Sequence, residues 1–239
     1  MINRSSPRSV GYGQQATADE IDAGLRAYML GVYNYMTIAL GITGLAAFGV
    51  SQSPELMNAV FGTPLKWVVM LAPLGMVFFL SARINKIQAS TAQMLFWVFS
   101  LLMGVSLASI FVMYEMGSIT RVFFITAASF AGLSLVGYTT KKNLSAMGSF
   151  LIIGLFGLII ASVVNIFLAS PVMELVISSI GVLIFAGLTA YDTQKIKLMY
   201  MESDGSEVSQ KKSIMGALTL YLDFLNLFLF LLRLMGNRN

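Results

Sequence analysis

Seven apolar segments make up most of this chain of 239 residues. Each is close to the ~20 residues that a helix needs to cross the hydrocarbon of a bilayer. The segments cover residues 27–50, 66–82, 93–114, 119–138, 146–168, 172–191 with a continuation towards 199, and 213–234. Charged residues are 11% of the sequence, whereas a soluble domain has about 25%. The sequence therefore predicts an all-α integral membrane protein with seven transmembrane helices.

The first 20 residues are polar and lack the apolar stretch of a signal peptide. We expect residues 1–20 to form a disordered cytoplasmic tail and residues 21–236 to form one transmembrane domain. A short amphipathic helix containing Asp22 and Arg26 is expected to lead into the first segment, which itself serves as the insertion signal.

The 15 Lys and Arg residues divide unevenly between the two sides of the predicted membrane domain. With the N-terminus inside, eleven of them fall on the inner side and four on the outer side. Because cytoplasmic loops carry an excess of Lys and Arg, this division predicts a cytoplasmic N-terminus and an external C-terminus. The net charge of +4 reflects that bias and does not indicate nucleic-acid binding.

The sequence contains no cysteine and no histidine, which excludes several classes of membrane enzyme. A Ser–His protease and an HExxH metalloprotease both need histidine, and so does a haem or zinc site with His ligands. Lysine occurs only at the ends of the apolar segments or between them and not in their interior, so a retinal Schiff base inside a helix is excluded as well. We therefore expect a protein that is not an enzyme and that has no cofactor.

The last apolar segment contains a carboxylate, Asp223, near its middle. Such a residue costs roughly 2.5–3.5 kcal/mol at the centre of a membrane, so we expect it to face the interior of the bundle. Gly216, Thr219 and Asn226 lie at spacings of three or four residues from one another and from Asp223, on one helical face. This pattern favours a functional ionisable site with a supporting polar face. The alternative is a polar stripe that holds helices together.

Two further charges are expected near Asp223. With the N-terminus inside, the second segment ends at Arg83 and the sixth ends near Asp192 on the cytoplasmic side, while Asp223 lies about ten residues, or roughly 15 Å, into the last helix. Two carboxylates in apolar surroundings cannot both ionise cheaply, so a close pair is expected to share one proton. We predict a pH-dependent gate in which Arg83 pairs with one carboxylate. Alternatively, Asp192 is a helix-end charge and Arg83 extends to the interface.

The sequences AYDTQKIK at 190–197 and LTLYLDFLNLFLFLLR at 218–233 resemble the Bax-inhibitor family, also called transmembrane BAX inhibitor motif proteins, and its bacterial members above all. The resemblance covers roughly residues 20–236. It implies a seven-helix bundle with the last helix central, surrounded by the other six. It also implies a pH-sensitive calcium leak channel regulated by two aspartates, which match Asp192 and Asp223. An arginine of the second helix matches Arg83.

Three functions follow as hypotheses. The first is a pH-sensitive calcium leak channel in a bacterial inner membrane, with Ca²⁺ as the permeant ion. The second is a regulatory protein that binds a membrane protease, as some relatives do. The third is a proton-coupled transporter, which is disfavoured because the two halves show no matching helix breaks. Because Ca²⁺ prefers six to eight oxygen ligands, any Ca²⁺ near Asp192 and Asp223 should bind transiently, and no resident metal is expected.

Overall fold

The computed structural model describes residues 18–239. Within that part of the chain there is no β-strand beyond one antiparallel bridge between Tyr114 and Arg238. The helices are α1 Ala18–Ser51, α2 Pro54–Phe61, α3 Leu65–Arg83, α4 Ala89–Leu107, α5 Ile110–Met113, α6 Met116–Thr139, α7 Ser145–Leu168, α8 Pro171–Leu198 and α9 Ser206–Met235. Seven of these helical segments are long and apolar enough to cross a membrane, namely α1, α3, α4 together with α5, α6, α7, α8 and α9. The predicted all-α membrane bundle is confirmed.

The ends of the helices differ from the predicted segments where polar sequence continues a helix. Helix α9 begins at Ser206, seven residues before the apolar segment, and an ion pair of 2.9 Å between Lys211 and Glu207 joins successive turns of this extension. The predicted tail at 1–20 lies outside the described residues, except that α1 already begins at Ala18. The segment predicted at 93–114 is divided into α4 and α5.

Serine and proline start two of the helices. The Ser53 hydroxyl accepts a hydrogen bond from Leu56 N at 3.3 Å, directly before Pro54. Ser170 accepts one from Met173 N at 3.3 Å, directly before Pro171. A serine N-cap satisfies one of the free N–H groups of the first turn, and proline fits the first helical position because it has no N–H to satisfy. These two caps fix where α2 and α8 begin.

Helix α9 is the central helix of the bundle. In its most apolar stretch 61% of the residues are buried, compared with 6% for α7. It packs against α1, α4, α6 and α8, whereas α3 packs mainly against α4 and α7 mainly against α8. The last helix is therefore central, as the family resemblance implies, and four of the other six spans make most of the contacts with it. The remaining two lie at the periphery, where their exposed apolar side chains suit contact with lipid.

Tyr221 joins α9 to two of its neighbours. Its ring is fully buried and makes edge-to-face contacts with Phe99 and Phe96, at centroid distances of 5.4 and 6.0 Å. Its hydroxyl lies 2.6 Å from the hydroxyl of Thr43 in α1, which also donates to the carbonyl of Ser100 in α4. Because unsatisfied polar groups are costly in an apolar interior, these bonds fix the position of α9 against α1 and α4.

We expect Gly137→Ala to lower stability by about 1–3 kcal/mol, since an added methyl group would overpack a tight contact. A Cβ at Gly137 in α6 would collide with the backbone carbonyl of Ala190 in α8. The control is Gly132→Ala on the same helix, where a Cβ would have nothing within 4 Å. Thermal unfolding in detergent measures the difference, and an equal midpoint for the two variants would contradict the tight contact.

Candidate functional site

Asp192 and Asp223, predicted from their matched depth and from the family motif to lie close together, meet between α8 and α9. The side chain of Asp223 is 5% exposed and that of Asp192 is 9% exposed. Their carboxyl groups lie within side-chain hydrogen-bond distance of each other. The two helices run antiparallel and share an extensive interface. Both aspartates lie in this interface, inside the bundle. Their role in gating stays a prediction.

The contact between the two carboxyl groups requires a proton. Ionised carboxylates are acceptors only, so two of them can form a hydrogen bond only when one is protonated. Asp223 Oδ2 is buried and finds no hydrogen-bond donor in the described part of the chain. A proton shared between the two carboxyl groups would remove one of two adjacent negative charges. Ionisable groups that interact this closely exchange protons as a pair and not as two independent sites.

A cavity of about 550 Å³ opens beside the carboxyl groups, between α7, α8 and α9. Thr219 and Asn226 line this cavity together with both aspartates, whereas Gly216, predicted on the same helical face, lies against Ile196 of α8. Thr219 Oγ1 donates to the carbonyl of Met215 at 3.1 Å, and Asn226 Nδ2 donates to the carbonyl of Leu222 at 2.8 Å. Because their donors are used within α9, both side chains can offer oxygen atoms to a cation in the cavity.

Lys195 is the basic residue that lies near the pair, and sequence reasoning missed it. It lines the same cavity, and its charge acts on Asp192, one turn earlier in α8. Its Nζ lies 6.0 Å from the ring centroid of Tyr191, which also lines the cavity. The spacing of three residues between Asp192 and Lys195, which places both on one helical face, is the signal that could have identified it.

The structure does not bring Arg83 to the aspartates, contrary to the prediction. Arg83 is the exposed last residue of α3, and α3 packs mainly against α4. Among the described residues it forms no ion pair with any carboxylate. The prediction used depth in the membrane, and depth does not specify the position of a helix around the bundle axis.

The pair and its surroundings do not form a metal cage. Within the described residues, no group of three or more Asp, Glu, His or Cys side chains is arranged to hold a metal ion. The cavity instead offers oxygen atoms from two aspartates, a threonine and an asparagine. Ca²⁺ prefers six to eight oxygen ligands, with carboxylates prominent among them, and Asp192 and Asp223 are the two carboxyl groups among the described residues that line this cavity.

Comparison with known proteins assigns the family. A sequence profile of the family described as inhibitor of apoptosis-promoting Bax1 matches residues 25–239, which include six of the seven spans in full and nearly all of the first. The chain belongs to this Bax-inhibitor family. The resemblance seen in the two motifs of the last two spans is thereby confirmed, and Asp192 and Asp223 both lie in the matched region.

Similar bacterial proteins match nearly the whole chain. An uncharacterised protein of Rickettsia prowazekii is 48% identical, covering 91% of this chain and 92% of the relative. The inner membrane protein YbhL of Escherichia coli is 45% identical, with coverages of 90% and 94%. An uncharacterised protein of Caulobacter vibrioides is 43% identical, with coverages of 95% and 96%. The chain is a multi-pass membrane protein of the same length class.

Proposed function

We propose that this member of the Bax-inhibitor family is a pH-sensitive leak channel for Ca²⁺, not an enzyme, and that Asp192 and Asp223 form its gate. The observation that supports the proposal is the contact between two buried carboxyl groups beside a partly polar cavity within membrane-spanning helices. A carboxylate at this depth is costly, so a merely structural role would be served more cheaply by Asn or Gln.

The cavity offers a cation a weak and transient site. Asp192, Asp223, Thr219 and Asn226 contribute oxygen atoms, which hard cations such as Ca²⁺ prefer. With two carboxyl groups among the described lining residues, and with Thr219 and Asn226 bonded within α9, these oxygens do not form a tight cage. Conduction requires binding that is strong enough for entry and weak enough for release, and a small set of oxygen ligands meets both conditions.

Proton occupancy selects between two arrangements of α8 against α9. With the shared proton, a hydrogen bond joins the helices at the pair, and without it two negative charges face each other in low dielectric and repel. Within the described residues, the other charged or titratable side chains facing the cavity are Lys195 and Tyr191 of α8. From α7 the cavity receives apolar side chains and Ser162. The gate therefore responds mainly to the protonation of the pair.

Calcium entry into liposomes that contain only the purified protein tests the proposal. A channel passes Ca²⁺ without a partner and shows neither saturation nor counterflow. A protein that regulates a membrane protease through helix contacts shows no flux above that of protein-free liposomes. A proton-coupled transporter shows saturation and counterflow. Each of the last two outcomes would replace the proposed channel by the corresponding alternative.

We expect Lys195→Ala to move the midpoint of the pH–flux profile to higher pH, because the positive charge that opposes protonation of the pair is lost. Lys195 is exposed, and an exposed charge pair is worth at most about 1 kcal/mol, so the shift should be below about one pH unit. Arg83→Ala is the control and should leave the midpoint unchanged. A larger shift with Arg83→Ala would restore Arg83 as the partner of the pair.

The Escherichia coli relative is named an inner membrane protein, which supports the same location for this chain. The excess of Lys and Arg on the inner side predicts a cytoplasmic N-terminus. A cysteine-free sequence allows a direct test. Ser206→Cys, at the exposed start of α9, should react with an impermeant maleimide only from the cytoplasmic side. Asn239→Cys, which lies beyond the opposite end of α9 at Met235, should react only from outside. The reverse pattern would invert the topology.

A further inference from the structure

A groove of about 630 Å³ runs along the bundle between α1 and α6. Both helices pack against α9, but within the described residues they hardly pack against each other. A hydrogen bond of 3.0 Å between Tyr33 Oη and Ser134 Oγ crosses the gap. Phe224 of α9 lies on the floor of the groove. The seam between α1 and α6 is therefore open on the side that faces lipid.

The walls and length of the groove suit an acyl chain. Most of its lining is apolar, and Leu30 and Leu135 on its edges are 52% and 62% exposed. From Arg26 to Leu40 the groove follows α1 for roughly 20 Å, compared with about 15 Å for half of the ~30 Å hydrocarbon core. One lipid leaflet, with its head-group region, therefore matches the groove in length.

One end of the groove is basic. Arg26 lies there, on the first turns of α1 within the membrane span, and is exposed. Lys197 of α8 reaches the same end, where its Nζ lies 4.8 Å from the ring centroid of Tyr138 and donates to the Tyr138 carbonyl at 2.8 Å. None of the described residues that line the groove carries a carboxylate. This charge distribution favours an anionic head group, and arginine binds phosphate well through its planar guanidinium.

We propose that the groove between α1 and α6 binds one anionic phospholipid of the leaflet at the N-terminal end of α1. An acyl chain occupies the space between the two helices, and the phosphate lies at Arg26. The apolar walls bind any phospholipid chain, whereas the basic end supplies the preference for negative charge, since basic residues at a membrane surface attract anionic lipids.

Native mass spectrometry tests this site on the full-length protein, extracted from vesicles with equal amounts of phosphatidylglycerol and phosphatidylethanolamine. We expect one phosphatidylglycerol to be retained about fivefold more often than phosphatidylethanolamine, as one basic contact allows. Arg26→Ala should abolish this preference. Ala131→Phe, which places a ring in the groove, should abolish retention of both lipids. Ala128→Phe, exposed on the same helix outside the groove, should bind lipid like the unaltered protein.

Several outcomes would overturn the lipid site. The lipid site would be wrong if the unaltered protein retained phosphatidylglycerol and phosphatidylethanolamine equally often. It would also be wrong if Ala131→Phe retained as much lipid as Ala128→Phe. If the unaltered protein is a dimer and Ala131→Phe is a monomer, the groove is an interface between two copies of the chain and not a lipid site. Thermal unfolding of each variant in detergent separates loss of lipid from loss of fold, because the two Ala→Phe variants should unfold at similar temperatures.

Discussion

Asp223→Asn is expected to leak Ca²⁺ at the same rate at every pH from about 5 to about 8, which is the pH range in which buried carboxyl groups gain and lose a proton. Asparagine preserves the size of the side chain and can donate a hydrogen bond to Asp192, but it cannot lose a proton. The variant should therefore match the low-pH limit of the unaltered protein at every pH. The calcium flux through a gate that one proton controls changes by at most about tenfold per pH unit. The flux through the variant should hardly change with pH.

Two controls accompany this variant. Asp192→Asn should flatten the profile less completely, because Asp192 lies nearer the end of its helix and beside Lys195. Glu174→Gln makes the same chemical change at a partly exposed carboxylate, paired with Arg238 at the far end of the bundle, and should leave the profile unchanged. If Asp223→Asn also leaves it unchanged, the central carboxylate only holds helices together.

Ser162→Phe should reduce calcium flux to nearly that of protein-free liposomes at every pH. Ser162 of α7 lines the cavity beside the aspartates, and a phenyl ring at this position would occupy space that the proposed path requires. The pH dependence of any residual flux should be unchanged, because Ser162 carries no titratable group. Liposome flux at two pH values measures both effects.

Ser179→Phe is a matched control for the cavity. Ser162 and Ser179 each donate to the carbonyl four residues earlier, at 2.8 and 2.9 Å, so both variants lose an equivalent bond. Ser179 is exposed on α8 and lies outside the cavity, so its variant should keep full flux. Equal flux from the two variants would show that Ca²⁺ does not pass through this cavity.

Much of the fold followed from local sequence, because an apolar run of about 20 residues in lipid specifies a helix without help from tertiary contacts. The aspartate pair was also predictable. Asp192 and Asp223 lie on consecutive helices joined by a short connection, and such helices are usually adjacent. Depth in the membrane and adjacency together determine a contact between them.

The position of Arg83 was not predictable by the same reasoning. Its depth was inferred from the end of the second apolar segment, but the packing of α3 against α4 depends on side-chain contacts between distant parts of the chain. The polar extension of α9 before residue 213 was missed for a related reason. Apolarity marks the part of a helix that lies in lipid, and a helix can continue into water, where pairs such as Lys211 and Glu207 stabilise it.

The central claim is that a single titrating pair controls a leak that is intrinsic to this protein. The most direct test is calcium flux into liposomes containing the purified, unaltered protein, measured in small pH steps with the same pH on both sides of the membrane. The account predicts flux without any partner and one transition with the steepness of a single proton. Absence of flux at all pH values, or flux that does not change with pH, would contradict it.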